Sequence, residues 1–212
     1  MKRIILCLTF ASMALYSFCV NQDYNETMFS AIDDLMKSST TEEYLQCANR
    51  FERIAAAEKE MWLPCYYAAF AYIQLSFMEE DLSKKELILD KAQQLLDKAF
   101  AIDPDESELH VLQAFLYPSR IMVDPVGRGM EYMNKIDESL RHAIELNPDN
   151  PRIYFLQAMN TLNLPPSMGG GAENARPLFE LAAEKFDAFQ PEINISPDWG
   201  KETNFDELRK LK

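Results

Sequence analysis

Basic residues and histidines are scarce in this chain. Its 212 residues include 21 lysines and arginines and 2 histidines, against 34 aspartates and glutamates. The deficit of positive charge argues against nucleic acid as a partner, because phosphates attract basic patches. It also argues against electrostatic adhesion to anionic lipid. An acidic excess of this size favours solubility, and a basic partner is the alternative that it leaves open.

The few histidines and cysteines are not spaced for chemistry. His110 and His142 lie on different predicted helices, and the chain contains neither a Cys-x-x-Cys nor a His-x-x-x-His motif. No serine or cysteine is placed by sequence to complete a catalytic triad. We therefore predict a protein that is not an enzyme and that uses no metal and no cofactor. Cys47 and Cys65 fit either a disulfide of a secreted protein or two buried free thiols.

Long apolar runs are absent except at the N-terminus. Met1–Arg3 is basic and residues 4–20 carry no charge, which is the layout of a secretory signal peptide. The run is short for a membrane span of roughly 20 residues, although an uncleaved anchor is the rival interpretation. We expect a signal peptide over residues 1–20 and a periplasmic or secreted mature chain without a membrane span. Lipidation of Cys19 is the less favoured alternative, because the large Phe18 precedes it.

One segment recurs at a constant offset of 44 residues. Residues 96–105 and 112–114 are matched by residues 140–149 and 156–158. Each copy ends a predicted amphipathic helix at an Asp/Asn-Pro-Asp turn, where proline cannot continue the helix, and another helix starts just beyond. Repetition of a helix–turn–helix unit predicts a helical solenoid.

The segments Lys98–Asp105 and His142–Asp149 resemble the end of a tetratricopeptide repeat. The resemblance extends over most of residues 24–188. It implies an all-α fold, an α-α superhelix built as a right-handed solenoid of about four helical hairpins, and a role in binding proteins or peptides. The repeat domain would span residues 21–190, and residues 191–212 would form a cover segment and a capping helix.

The period of 44 is longer than the usual repeat of about 34 residues. We explain it by long helices in the second hairpin and by loops over residues 117–127 and 163–171 in the third and fourth. Equivalent insertions in a solenoid emerge on the same edge, so the two loops should lie side by side and form a candidate binding edge. Its residues are Pro118, Ser119, Arg120 and Gly127 in the first loop, Gly129 just after that loop, and Pro166, Ser167, Gly169, Gly170 and Gly171 in the second loop.

Two motifs near the C-terminus carry a second resemblance. Pro166–Gly170 and Pro197–Gly200 are similar to a Pro-x-x-Gly-Gly loop and a Pro-x-Trp-Gly segment of secreted tetratricopeptide-like proteins of Bacteroidetes-type bacteria. This resemblance implies an envelope location without an activity. The glycine loop alone is also similar to that of helical partner proteins of some periplasmic solute transporters. Residues 169–171 could approach an anion at a helix N-terminus, but we favour a tight left-handed turn.

Residues 61–73 form a segment without charge, which is typical of a helix buried on all sides. Because tyrosine has an apolar body and a polar tip, the alternative is that Tyr66, Tyr67 and Tyr72 line a groove. Tyr66 therefore joins the candidate binding residues.

Three functions remain open. The first is a non-enzymatic scaffold or adaptor of the bacterial cell envelope that binds a protein or peptide partner, an expectation that rests on fold analogy. The alternative is a periplasmic carrier of a small molecule or lipid, in an apolar pocket lined by residues 61–73 with Tyr117, Tyr154 and Phe155. The third is a purely structural homo-oligomer. A closed apolar cavity above about 300 Å³ would favour the carrier, and a filled core with an open groove would favour the adaptor.

Overall fold

The structure is a computed structural model that describes residues 23–211, so the expected signal peptide and Cys19 lie outside the described residues. Within residues 23–211 the chain forms nine α-helices and one 3-10 turn, without a β-strand. The helices are α1 (23–37), α2 (Thr41–Ala57), α3 (Trp62–Met78), α4 (Leu82–Ile102), α5 (Ser107–Val123), α6 (Pro125–Leu146), α7 (Pro151–Asn163), α8 (Ala172–Ala188) and α9 (Lys201–Lys210), with the 3-10 turn at Pro166–Met168.

Helices that follow one another in sequence pack against one another, and this builds a stack of hairpins. The closest pairs are α2 with α3, α3 with α4, α5 with α6, and α7 with α8. Neighbouring hairpins join through α4 with α5 and α6 with α7, and α3, α5 and α7 also pack in succession along the stack. The predicted all-α superhelix is confirmed. The hairpin turns alternate between two edges of the stack: the turns after α2, α4 and α6 lie on one edge, and those after α3, α5 and α7 on the other.

Side-chain caps explain where several helices begin. The pattern of Thr40 followed three residues later by Glu43 predicts a capping box at the start of α2, and the structure forms it, which satisfies two free amides there. The same pattern at Ser83 and Glu86 predicts a second capping box. That prediction is wrong, because Asp81 caps α4 by accepting from the amides of Ser83 and Lys84. Glu86 instead pairs with the guanidinium of Arg120.

The loop predicted over residues 117–127 is wrong. Helix α5 continues through Pro118 to Val123, and α6 begins at Pro125, so that Asp124 alone separates them. Proline removes one helical hydrogen bond, but contacts of the next two residues, which are both buried, compensate. The Ser119 hydroxyl lies 2.9 Å from the Ser76 hydroxyl, and the Arg120 guanidinium lies 2.8 Å from the Asp90 carboxylate. The third hairpin is therefore long because its helices are long. Only residues 164–171 form a loop, so the expected pair of loops side by side does not exist.

The core is centred on α3, as the uncharged segment predicted. Tyr66 and Tyr67 are fully buried, and the irregular segment 189–200 covers them. The Tyr67 hydroxyl donates to the carbonyl of Ile195 at 2.9 Å, and the indole N–H of Trp199 donates to the Tyr66 hydroxyl at 2.7 Å. The Trp199 ring also stacks on the ring of Phe115, with centroids 5.3 Å apart, so the segment 189–200 closes this side of the core.

A buried ion pair lies beside this aromatic cluster. Arg152 on α7 donates from Nε and Nη2 to the Glu108 carboxylate of α5 over 2.6 to 3.0 Å, with both side chains less than a tenth exposed. Asn150 Nδ2 and the Tyr66 hydroxyl donate to the same carboxylate. The pair joins three consecutive hairpins through groups that would be costly to leave unpaired.

Cys47 and Cys65 are free and buried in this structure. Of the two alternatives, a disulfide or two buried thiols, the structure has the second. Burial raises the pKa of the Cys65 thiol, so this group is a poor nucleophile at neutral pH. Within residues 23–211, no helix has both the length and the apolar character needed to cross a membrane.

Candidate functional site

An apolar groove lies on the edge that carries the turns after α3, α5 and α7. It has a volume of about 460 Å³, within the range of small-molecule sites. We call it the apolar groove; it is lined by Phe77 of α3, Pro118, Ile121 and Met122 of α5, Met133, Ile136 and Asp137 of α6, and Asn160, Asn163 and Leu164 at the end of α7.

The groove exists because α7 is short. Helix α7 has 13 residues, whereas α5 has 17 and α6 has 22. At 1.5 Å per residue, α7 ends roughly 6 Å short of the length of α5. The apolar faces of α5 and α6 near their junction are therefore left uncovered by the last hairpin, and the chain turns at Leu164 along the side of the space that remains.

Exposed apolar side chains extend the groove along α6. Val126, Met130 and Met133 are spaced four and three residues apart, which places them on one face of the helix. Met130 is 66% exposed, and Met122 across the junction is 48% exposed. Exposed apolar side chains that adjoin a groove mark binding surfaces more often than isolated ones do.

Polar groups are few in the groove, and none of its described lining residues is basic. The Asn163 amide donates to the carbonyl of Met159 at 2.8 Å, which leaves the Asp137 carboxylate and the Asn160 amide as the polar groups at the wall. The thioether sulfurs of Met122 and Met133 are the soft donor atoms at the wall.

The first group of predicted binding residues is divided between two faces of α5 and the start of α6. Pro118 lines the groove, whereas Ser119 and Arg120 point into the protein and are bonded to Ser76, Glu86 and Asp90. Gly127 and Gly129 belong to the first turns of α6, where the Gly127 amide donates to Asp124. Of this group, the structure brings only Pro118 into the groove.

The second group of predicted residues forms the loop beside the groove. Pro166 and Ser167 belong to the 3-10 turn. Gly169 and Gly171 have φ angles of 81° and 98°, which favour glycine, and Gly170 lies so close to Leu164 that a Cβ atom would be 2.0 Å from its carbonyl oxygen. This geometry agrees with the tight turn that we favoured for the glycines.

The predicted tyrosines do not line the groove. Tyr66 is buried beside Glu108 and Trp199. The Tyr117 ring packs on Tyr132 with centroids 5.3 Å apart, and the Tyr154 hydroxyl donates to the carbonyl of Pro148 at 2.8 Å. Phe155, assigned to the same carrier pocket, packs in the core against Phe179, Phe186 and Trp199.

Sequence reasoning missed most of the groove. The helical spacing of Met130, Met133 and Ile136 predicts one apolar stripe that faces inward. In the structure Met130 is largely exposed, and of the three only Ile136 is buried. The available signal was the number of methionines on residues 122–133, because methionine is enriched at adaptable binding surfaces.

Comparison with known proteins finds a likeness among solved structures. No protein-family model matches the sequence, and no curated protein matches it. Among solved structures, the HusA haemophore from Porphyromonas gingivalis superposes with a TM-score of 0.80 and is 32% identical in sequence. The match covers 89% of this chain and 92% of the haemophore chain.

Proposed function

Because this chain belongs to the family of the HusA haemophore from Porphyromonas gingivalis, we propose that it is a non-enzymatic carrier that binds haem or a related porphyrin in the apolar groove. The observation that carries the proposal is the likeness to a haemophore over nearly the whole of both chains. It favours the carrier over the envelope scaffold, which is the first expectation from the sequence.

The shape of the groove supports a flat ligand. A filled core with an open groove is the arrangement that we expected of an adaptor, but that criterion assumed a ligand enclosed on all sides. A porphyrin is a planar apolar ring with two carboxylates on one edge. The open groove between α5, α6 and α7 can cover the apolar faces of the porphyrin while the porphyrin carboxylates stay in solvent. Carboxylates that stay hydrated need no basic partner, and none of the lining residues is basic.

The methionine sulfurs at the groove are better placed to ligate haem iron than the histidines are, and a thioether is an accepted ligand of haem iron. Met122 and Met133 lie at the groove, whereas His110 precedes Ile121 by 11 residues on the same helix, about 16 Å along its axis. We therefore infer that a thioether, and not an imidazole, is the protein group available to haem iron. The layout of residues 1–20 supports a secreted or periplasmic location for such a carrier.

Titration of the mature protein with haemin, followed by the Soret absorbance, tests the proposal. Met122→Glu and Met133→Glu should each raise the Kd at least about tenfold, because a carboxylate would be desolvated against the porphyrin face. Met36→Glu on α1 is the matched control, since Met36 is 46% exposed and Met122 is 48% exposed; it should leave the Kd unchanged.

Iron-free protoporphyrin IX separates binding of the ring from ligation of the iron. Met122→Leu and Met133→Leu keep the apolar volume, so both should bind iron-free porphyrin as the natural chain does. One of them should alter the absorbance spectrum of the haem complex if its sulfur ligates iron. Absence of saturable haemin binding would overturn the carrier function, and an equal loss of affinity in Met36→Glu would overturn the groove as its site.

A further inference from the structure

A second cavity lies on the opposite edge of the superhelix, between the turns after α4 and α6 and the segment 189–197. It has a volume of about 470 Å³. We call it the acidic cavity; its charged and aromatic lining residues are Asp103, Asp105, Glu106, Glu192, Trp62 and Phe189, with the Glu108–Arg152 pair in its wall. Helix α5 runs from this cavity at Glu108 to the apolar groove at Pro118, about 15 Å along its axis.

The negative charge in the cavity is not balanced by the protein. The carboxylate of Glu108 is already neutralised by Arg152, which leaves Asp103, Asp105, Glu106 and Glu192. Among residues 23–211, none of these four makes an ion pair with a lysine, arginine or histidine within 4.0 Å. Burial raises the pKa of the Glu106 carboxyl, and the charges of Glu108, Asp103 and Glu192 raise it further, against the lowering effect of the hydrogen bond that this carboxylate accepts from the Glu108 amide at 2.9 Å.

A buried donor in the cavity wall also lacks a partner. Arg152 is 1% exposed and uses Nε and Nη2 to bind Glu108. Its Nη1 makes no hydrogen bond, and its guanidinium lies 4.7 Å from the centre of the Phe189 ring. Buried polar groups without a partner are rare in folded proteins, so an acceptor oxygen supplied by a ligand would complete this site.

The carboxylates are arranged for an extended cation and not for a metal ion. In the part of the chain that the structure describes, no three acidic, histidine or cysteine side chains come together closely enough to hold a metal. An ammonium or guanidinium group on a long stem meets separated carboxylates through several donors. Aromatic rings beside the carboxylates add favourable contact with such a stem and with its charge.

We propose that the acidic cavity binds a lysine or arginine residue of a partner polypeptide. The basic head group lies among Asp103, Asp105, Glu106 and Glu192, and its stem packs on Trp62 and Phe189. A backbone carbonyl of the same segment accepts a hydrogen bond from Arg152 Nη1. Since the cavity and the apolar groove lie on opposite edges, this docking is independent of the proposed haem binding.

The test is an NMR titration of the ¹⁵N-labelled mature protein with the capped peptide acetyl-(Gly-Lys)₃-amide. The indole N–H signal of Trp62 reports on the cavity and should shift in a saturable way. The same peptide with norleucine in place of lysine should bind more than tenfold more weakly, because it has no charge. The diamine 1,5-diaminopentane should also bind more weakly, because it has no carbonyl for Arg152.

Two charge-matched double variants separate a built site from general attraction to an acidic protein. Asp105→Asn with Glu192→Gln should raise the peptide Kd about tenfold, since it removes two exposed carboxylates of the cavity. Glu80→Gln with Glu173→Gln removes the same charge from exposed positions on the other edge and should change the Kd less than twofold.

Three results would overturn the proposal: no saturable shift of the Trp62 signal, equal effects of the two double variants, or a diamine affinity equal to that of the lysine peptide. Haemin titration of the same variants keeps the two functions apart. The cavity variant should bind haemin as the natural chain does, whether or not the peptide binds.

Discussion

Removal of one charge from the buried Glu108–Arg152 pair should destabilise the fold severely. The Glu108→Gln change preserves size and shape but leaves the Arg152 guanidinium, which is 1% exposed, without its counter-charge. The Glu108 carboxylate accepts hydrogen bonds from Arg152, Asn150 and Tyr66. The amide of glutamine would therefore place an N–H group against another donor.

The expected cost follows from that burial. Breaking a buried pair by removing one partner costs about 3–5 kcal/mol, because the remaining charge keeps its desolvation penalty. Single domains are stable by only about 5–15 kcal/mol, and for a chain of this size each kcal/mol lowers Tm by about 2–4 °C. Glu108→Gln should thus lower Tm by roughly 6–20 °C.

Thermal and urea unfolding followed by circular dichroism measures the effect. Glu145→Gln is the matched control, since Glu145 pairs with Arg141 at 3.1 Å but both side chains are more than half exposed; it should cost less than about 1 kcal/mol. Removing both charges in Glu108→Leu with Arg152→Met should recover part of the loss. If Glu108→Gln costs no more than Glu145→Gln, our account of the buried pair is refuted.

Two further changes test the loop and the histidines. Gly170→Ala should lower the free energy of unfolding by about 1–3 kcal/mol, because its Cβ would lie 2.0 Å from the Leu164 carbonyl oxygen. Gly129→Ala is the control and should stabilise α6 by about 0.5–1 kcal/mol, because nothing lies within 4 Å of that Cβ. Similar effects of the two changes in urea unfolding would contradict the loop geometry. Burial lowers the pKa of His110, and His142 beside it lowers it further, against the opposing effects of a hydrogen bond to Pro104 and the charge of Asp105. Between pH 7 and pH 5 the unfolded chain therefore binds more protons at this site than the folded chain does. As the pH is lowered, the free energy of unfolding should decrease more steeply in the natural chain than in His110→Gln, as measured by urea unfolding at each pH.

The sequence was most informative where local pattern and burial agree. A helix without charged residues over positions 61–73 is expected to be buried on all sides, and α3 is indeed the centre of the core. The two Asp/Asn-Pro-Asp turns ended helices where proline requires it, and the capping box of Thr40 with Glu43 formed as predicted. These features depend on residues close together in the chain.

The errors came from contacts between distant residues. Pro118 and the glycines after it favour a loop locally, but the bonds of Ser119 and Arg120 to α3 and α4 hold α5 in a helix. No local sequence pattern predicts such partners, since they lie at least 30 residues away along the chain.

The apolar groove could not be predicted from the sequence either. It depends on α7 being shorter than α5 and α6, and a difference in the length of neighbouring helices is not a property of any one segment. The stripe with Met130 and Met133 looks the same in sequence whether another helix covers it or solvent does.

The hydrogen bonds between segment 189–200 and α3 limit how this protein can gain or lose repeat units. In a repeat array each unit touches only its neighbours, so genetic duplication or deletion of a unit lengthens or shortens the array without disrupting the rest. Here Tyr67 and Ile195 are joined across 128 residues, and Tyr66 and Trp199 across 133. Gain or loss of one 44-residue unit would carry Ile195 and Trp199 away from their partners. We therefore expect the number of hairpins to be constrained, and we expect new binding properties to arise by substitution on the two edges.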